Sequence, residues 1–379
     1  MPRPKKVQET KKAFKVGYVA LIGRPNVGKS MLLNRLLGQK IAIVSNKPQT
    51  TRISILGIHT TDKGQIIFID NPGIHKPLHK LNKRMMDFVY SSLETASLIC
   101  LLIDATQKYG HGDEFVLDIL KNVRTPVFLL INKVDIVKKG NILLIIDKYK
   151  DLHPFKEIIP ISAVRGTNVE VLEKLIYDYL PESEKIYSDN EISDQSERFL
   201  LAEIIREKVL NHVEKELPWV TAVYIDTIER RGPRAEAEEG ERTQPMDSGE
   251  RSETLPEAKQ SLGERAQTAD SGIWTETLPE AGKRAAGVTQ TKKMSKAGPA
   301  EPEKKRPVTY IKATIFVEKD NHRIIILGRR GQLIKTIGIE ARREIEEILE
   351  SKVFLDLHVK VRENWRDSPD VLDLIEGQK

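Results

Sequence analysis

Strand-length apolar runs recur through the first half of the chain, at residues 17–22, 53–58, 65–70, 98–104, 126–131 and 157–161. Between them, near 29–38, 80–94, 112–122, 141–150 and 167–180, apolar positions fall three and four residues apart among polar ones. That spacing is the period of a helix with one buried face. Strand and helix alternate without a break, so residues 17–180 are predicted to form a doubly wound α/β domain. In such a domain the loops that meet ligand lie at the carboxyl ends of the strands.

The second half breaks that rhythm. Residues 181–194 are polar and read as a linker. A helix is predicted over 197–217, with Phe199, Leu200, Ile204, Val209 and Val213 among its apolar positions, then a strand over 219–228. From 232 to 306 the chain is rich in Glu, Ala, Gly, Arg, Thr and Pro and nearly empty of aliphatic residues, so disorder is expected there. Within it, Glu253-Thr254-Leu255-Pro256-Glu257-Ala258 returns as Glu276-Thr277-Leu278-Pro279-Glu280-Ala281. Two polar, proline-bearing copies fit a duplicated insert better than a solenoid. Pattern resumes at Val308. Ile311, Ala313, Ile315 and Val317 share one face of a strand, 322–327 is apolar, 336–349 is an amphipathic helix, and 353–361 closes as a strand. The second module is therefore α+β, in the order α-β-β-α-α-β, over 195–231 and 307–367, with the insert between its first two strands. Residues 1–16, which are basic, and 368–379 are expected as terminal tails.

Composition narrows the class. The 379 residues are 39% hydrophobic and 31% charged, enough apolar material for two packed cores. The single cysteine, Cys100, falls inside the apolar run 98–104, where a core position is expected. One cysteine makes no disulfide framework and suits a reducing cytosol. No apolar run approaches the ~20 residues needed to cross a bilayer. The basic N-terminus lacks the apolar core of a signal peptide. The net charge of +6 permits binding to nucleic acid or anionic lipid without requiring either.

Chemistry enters where the first strand opens into Gly23-Arg24-Pro25-Asn26-Val27-Gly28-Lys29-Ser30 and then a helix. The spacing G-x-x-x-x-G-K-S between strand and helix is that of a phosphate-binding loop. Backbone N–H groups at the helix N-terminus hold the β-phosphate, Lys29 reaches the terminal phosphates, and Ser30 offers its hydroxyl to Mg²⁺. Asn132-Lys133-Val134-Asp135, at the end of the strand over 126–131, is the guanine-reading pattern N-K-x-D. Asp135 accepts from the N1–H and amine of guanine; adenine would leave it unpaired, a discrimination on the order of 10⁴-fold. The strand over 65–70 ends in Asp70-Asn71-Pro72-Gly73. There Asp70 is placed to hold Mg²⁺ through water and the Gly73 N–H to meet the γ-phosphate. Within Gln49-Thr50-Thr51-Arg52 a threonine completes the metal shell; Thr51 is favoured, with Thr50 the alternative. The backbone of Ser162-Ala163 is placed to touch guanine O6.

The residue after Gly73 is Ile74, where Ras-like enzymes carry a water-orienting glutamine. The polar group must come from elsewhere: a water held by switch backbone, or a cation such as K⁺ held near Asn26. The expected GTP contacts are thus the phosphate loop, Asp70 to Ile74, Asn132 to Asp135, and Ser162-Ala163. The expected metal set is Ser30, Thr51 and Asp70, and the catalytic set Asn26, Lys29, Thr51 and Gly73, with slow turnover. GTP would order residues near 45–52 and 71–80, and hydrolysis would release them.

In the second module, Gly328-Arg329-Arg330-Gly331 between two helices is the G-x-x-G turn by which KH domains hold single-stranded nucleic acid. The glycines let backbone approach the sugar-phosphate, while Arg329, Arg330 and, beyond them, Lys335 neutralise it. Together with Lys335-Thr336-Ile337-Gly338-Ile339-Glu340-Ala341-Arg342, the motifs in this order resemble the bacterial Era-like GTPase family, of the TrmE-Era-EngA type. The resemblance covers nearly all of 17–231 and 307–366. It implies a GTPase domain followed by a type II KH domain, binding the 3′ end of 16S ribosomal RNA and acting in small (30S) subunit assembly. It further implies loose, peripheral association with the inner membrane; the motifs add GTP or GDP with Mg²⁺ as cofactors, and a cytoplasmic monomer is expected. Asn71 stands where the family has threonine, and Met31 replaces a threonine after the phosphate-loop serine. Both are expected to be tolerated. The insert over 232–306 is the larger departure.

Overall fold

The computed structural model describes residues 14–47, 49–231 and 308–379. The expected insert over 232–306 and most of the basic tail lie outside the described residues.

The chain begins with β1 (Lys15–Gly23), α1 (Lys29–Leu37), β2 (Ile55–Thr61), β3 (Gly64–Asp70) and α2 (Lys80–Thr95). It continues with β4 (Leu98–Asp104), α3 (His111–Leu120), β5 (Val127–Asn132), α4 (Lys139–Tyr149), β6 (Glu157–Pro160) and α5 (Val169–Tyr179). The six strands form one sheet in the order β2-β3-β1-β4-β5-β6, parallel except for β2, which pairs antiparallel with β3. Side chains alternate across it. Val19, Leu21, Phe68, Phe128 and Leu130 join one core with Leu32 and Leu36 of α1 and Leu172 and Ile176 of α5. Ala20, Ile22, Leu101, Leu129 and Ile131 join the other, with Met86 of α2 and Val116 of α3. Strands covered on both faces explain why they read as unbroken apolar runs. Cys100 is fully buried in the first core.

The second module is α6 (Glu197–His212), α7 (Leu217–Val220), β7 (Ala222–Arg231), β8 (Val308–Val317), α8 (Asp320–Leu327), α9 (Gln332–Leu349) and β9 (Lys352–Val361). Its sheet runs β7-β8-β9, with β8 antiparallel to β7 and parallel to β9. Ile311, Ala313, Ile315 and Val317 all face its core, as their alternation predicts.

Four expectations change. The helix predicted over 197–217 stops at His212, and Pro218 opens a separate short turn. Residues 181–194 are bound along a strand edge: Ile58 N–H donates to Ile192 O at 2.9 Å, and Gln65 Oε1 accepts from the N–H groups of Ile186 and Tyr187. Residues 368–379, expected as a tail, contain α10 (Pro369–Glu376), which buries Val371 and Leu372 beside Leu81, Met85 and Trp365. At the other end, β1 takes in the last residues of the predicted basic tail from Lys15.

Candidate nucleotide site and nucleic-acid interface

The sheet brings the three guanine-nucleotide motifs to one rim. β1 delivers the phosphate loop, β3 ends at Asp70, and β5 ends at Asn132. Between them lies a cavity of about 440 Å³ lined by Asn26, Gly28, Lys29, Ser30, Thr51, Gly73, Asn132 and Asp135, among others. Gly28 is the N-cap of α1 at φ 99°, so the helix starts without a side-chain cap and its first N–H groups face the cavity. A side chain at this position would also collide, since a Cβ would stand 2.3 Å from Asn132 Nδ2. Lys29 is buried, its Nζ donating to the carbonyls of Gly23 and Arg24 at 3.4 and 3.3 Å.

Next to Lys29 three oxygens converge. Ser30 Oγ donates to Asp70 Oδ2 at 2.5 Å and lies 2.9 Å from Thr51 Oγ1, which is 3.4 Å from the same carboxylate. Thr50 turns the other way, its hydroxyl donating to Lys47 O at 2.7 Å. Of the two threonines, Thr51 therefore stands at the metal corner. Asp70 Oδ1 is buried with no partner, an acceptor left over. Two hydroxyls and a half-satisfied carboxylate form a hard oxygen set that fits Mg²⁺, whose remaining positions come from water and phosphates. Among the described residues no cluster of three or more His, Cys, Asp or Glu side chains could hold a metal unaided. Burial raises the Asp70 pKa to about 6 against the pull of Lys29, and lowers that of Lys29 to about 8 against the pull of Asp70. Dehydration thus outweighs their mutual attraction, and a dication and phosphates would restore the missing solvation.

At the guanine end, Asn132 is a strut. Its Nδ2 donates to Val27 O at 2.7 Å and its Oδ1 accepts from Ala163 N–H at 3.0 Å. Lys133, in left-handed backbone, donates to Asp104 Oδ2 at 2.7 Å. Ser162 Oγ donates to Asp135 Oδ1 at 2.6 Å and so aims the carboxylate. Because Ala163 N–H is held by Asn132, a guanine O6 contact there has to share that donor.

Several predicted contacts are placed differently by the structure. The Arg24 side chain leaves the phosphate loop to pair with Asp113 of α3 at 3.0 Å, so only its carbonyl serves the loop. Val27 is buried in the core. Val134 packs against the second core. Ile74 is also a core residue, packed with Ile22 and Val89, and its N–H donates to Gly23 O at 3.0 Å. Asn71 is buried: its Oδ1 accepts from Ser54 and its Nδ2 donates to Leu21 O and Ile69 O. Pro72 is buried beside it, and Gly73 lies against Pro25 on the cavity wall. Met31 packs on the core and touches the cavity rim.

The segment carrying Thr51 is gripped by the second module, which no sequence motif announces. Arg206 of α6 donates to Thr50 O. Arg52 donates to Thr221 O at 2.8 Å, Pro218 O at 2.9 Å and Trp219 O at 3.1 Å, with Trp365 under its guanidinium. Burial, then the like charge of Arg206, holds the Arg52 pKa below its ordinary value. Farther along, Lys40 pairs with Glu207 of α6 and Glu344 of α9 at 2.8 and 2.6 Å.

In the second module Gly328 has φ 70° and ψ 179°, a conformation restricted to glycine, and Arg330 and Gly331 follow at φ 52° and 74°. The turn pushes Arg329 and Arg330 into solvent. They and Lys335 pair with no carboxylate among the described residues. Beside them a groove of about 350 Å³ is lined by Lys335, Ile339, Arg342 and Phe354. Phe354 is 58% exposed and 5.5 Å from the Tyr310 ring, over which Arg231 sits at 4.4 Å. Exposed rings and guanidiniums are what bases and phosphates stack and pair with. Ile339, Arg342 and Phe354 were not singled out by sequence, because groove membership joins α9 to β9 and has no local spacing.

Comparison with known proteins agrees with this fold. Residues 18–133 match the 50S ribosome-binding GTPase family and residues 291–366 the KH domain family. GTPase Era of Lactobacillus helveticus (strain DPC 4571) is 39% identical over 364 residues, 96% of each chain. A crystal structure of Era with MgGDPNP and nucleotides 1506–1542 of 16S ribosomal RNA has a TM-score of 0.73 at 34% identity, over 96% of this chain and 98% of that one. A tyrosine-to-alanine variant of Aquifex aeolicus Era bound to GDP and tetrafluoroaluminate has a TM-score of 0.72 at 34% identity, over 96% and 99%.

Proposed function

This chain belongs to the Era family of GTPases, and from that premise we propose that its GTP cycle sets the grip of the KH module on the 3′ end of small-subunit ribosomal RNA. The enzyme converts GTP and water to GDP and phosphate. Asn132 and Asp135 select guanine, the phosphate loop holds the β-phosphate, Lys29 neutralises the terminal phosphates, and Ser30, Thr51 and Asp70 would hold Mg²⁺. When bound, Mg²⁺ supplies charge neutralisation on the phosphates.

One observation carries the coupling. Three consecutive residues face alternate masters: the Thr50 carbonyl meets α6, the Thr51 hydroxyl meets the metal corner, and the Arg52 side chain meets the loop before β7. A nucleotide that engages or releases Thr51 must move both neighbours. The KH module then feels the γ-phosphate without contacting it, and RNA must in turn shift nucleotide affinity.

The test is binding of labelled RNA from the 3′ end of small-subunit ribosomal RNA, over a salt series, with GDP and then a non-hydrolysable GTP analogue. Sequence-dependent binding that favours the analogue supports the switch. Weak binding that vanishes with salt and ignores nucleotide overturns it. Replacing both turn arginines, Arg329→Glu with Arg330→Glu, should weaken that binding at least about 100-fold and flatten the plot of log K against log salt by at least about 1.4. GTP hydrolysis without RNA should be unchanged. If the double variant binds RNA normally, the G-x-x-G turn is not where the RNA is held and the KH reading fails.

The finer setting is also proposed: a monomer acting on the small ribosomal subunit in the cytoplasm. Peripheral contact with the inner membrane belongs to the same proposal, and no helix among the described residues is long and apolar enough to cross a membrane. A monovalent cation at Asn26 completes the reading. Asn26 sits at φ 64° with Nδ2 donating to Asn46 O at 2.8 Å, which leaves its Oδ1 without a partner among the described residues. That oxygen would hold K⁺ against the phosphates. Hydrolysis should then run several-fold faster in K⁺ than in Na⁺ at equal ionic strength, and equal rates would remove the cation.

A further inference from the structure

Hydrolysis needs an acceptor to orient the attacking water, and Ile74, buried in the core, is not one. We propose that Gln49 is that acceptor, with His75 and Asn82 as the positioning residues behind it; the inference rests on the GTPase reading above.

Gln49 and Gly73 line the same cavity. Gln49 is held at φ 58°, left-handed backbone that a non-glycine residue keeps only when its surroundings enforce it, and such residues gather at active sites. The surrounding hydrogen bonds determine which way its amide faces. His75 Nδ1 lies 2.7 Å from Gly73 O. A carbonyl only accepts, so Nδ1 carries the proton and the Nε2 of the neutral ring is an acceptor. Gln49 Nε2 lies 3.1 Å from that Nε2 and 3.4 Å from Asn82 Oδ1. Both protons of the amide are thereby taken up by His75 and Asn82, and Oε1 keeps its lone pairs with no partner among the described residues. An oxygen in that state accepts one proton of a water and turns the water's own lone pair outward.

Most of the other polar side chains on the cavity are committed elsewhere, and the Asn26 oxygen is the one assigned above to the cation. Thr50 donates to Lys47 O, and Ser30 and Thr51 meet Asp70. Asp104 and Asp135 are held at the guanine end by Lys133 and Ser162. Gln107 follows β4, across β1 from the strand that leads to Gly73. In the reaction the water oxygen bonds the γ-phosphorus while the bond to the bridging oxygen breaks, its electron pair leaving on GDP. The water proton ends on the released phosphate, so Gln49 orients and gains no proton.

The test uses the full chain under single-turnover conditions. Wild type must first bind and hydrolyse GTP; if it does not, the GTPase reading itself fails. Given that activity, Gln49→Ala should slow hydrolysis about 100-fold while leaving affinity for GDP and a non-hydrolysable analogue within about twofold. His75→Ala should slow it about tenfold, and His75→Asn, which keeps a donor and an acceptor, should restore part of the loss. The double variant, Gln49→Ala with His75→Ala, should be no slower than Gln49→Ala alone, since His75 acts through Gln49. A wild-type rate in Gln49→Ala overturns the proposal. So does an equal loss of analogue affinity and rate, which would make Gln49 a binding residue, or additive losses in the double variant.

Discussion

Gly28→Ala is expected to lower GTP and GDP affinity by roughly 10³-fold while leaving RNA binding in the absence of nucleotide intact. The added methyl would occupy space 2.3 Å from Asn132 Nδ2, at a backbone φ of 99° that alanine adopts only under strain. Neither can yield cheaply. Asn132 bonds Val27 O and Ala163 N–H, so displacing it loosens the phosphate loop, the guanine reader and the loop at Ser162 together. About 1–2 kcal/mol of backbone strain, with one or two buried polar groups unpaired at about 1–3 kcal/mol each, accounts for the loss. Fluorescent-nucleotide titration measures it. Affinity within tenfold of wild type would mean that the loop relaxes without Asn132. The KH turn should be indifferent, because its conformation is set by Gly328 to Gly331 and not by the nucleotide.

Arg52→Ala is expected to equalise RNA affinity between the GDP and GTP-analogue states to within about twofold, where the wild type should differ by roughly 5–150-fold. The guanidinium bridges three backbone carbonyls, two in α7 and one at Thr221 just after it, and lies over Trp365. Among the described residues no other side chain of the Thr51 segment hydrogen-bonds those carbonyls, so its removal cuts one of the two clasps on this segment, leaving that of Arg206 on Thr50 O. Arg52→Lys should fail to rescue, since a single ammonium cannot span acceptors arranged for a planar fork. RNA titrations with the two nucleotides decide the matter, and a preserved ratio in Arg52→Ala would transfer the coupling to Arg206 and Lys40. Burial and Arg206 both press against the Arg52 charge.

The elements of the GTPase half were legible because each carries its own local signal. A strand buried on both faces is a run of apolar residues, and Ile66 to Ile69 or Leu98 to Ile103 can hardly be read otherwise. The phosphate loop and the N-K-x-D segment were legible because backbone turns and hydrogen-bond chemistry demand those residues at those spacings. What stayed hidden depends on partners far along the chain. Arg24 sits inside a phosphate loop, yet its side chain answers to Asp113. Ile74 follows Gly73 in the place of a catalytic group, but its environment is the α2 core. The polar stretch over 181–194 looked free because its bonds to the β2 edge and Gln65 are mostly made by backbone, which leaves no apolar trace. α10 is too short to show a helical period convincingly, and it forms because Val371 and Leu372 find Trp365 and Met85. Gln49 lies in the Gln49-Thr50-Thr51-Arg52 segment but was read there only for its threonines, and His75 and Asn82 belong to no motif; only their convergence makes the three visible.

The pairing of Arg231 with Val308 closes the β7–β8 hairpin across everything encoded between them. That closure takes time as well as space. A ribosome adding about 5–20 residues per second needs roughly 4–15 s to pass from one to the other. Throughout that interval β7 and α6 exist without β8, α9 or β9. Val223, Ile225, Ile204 and Val209, all core residues of the finished module, have no partners yet from those later elements. The GTPase half, complete in sequence by then, can fold and wait. Synthesis of this protein therefore contains a pause in which half a KH core is exposed, and the length of the insert sets how long it lasts.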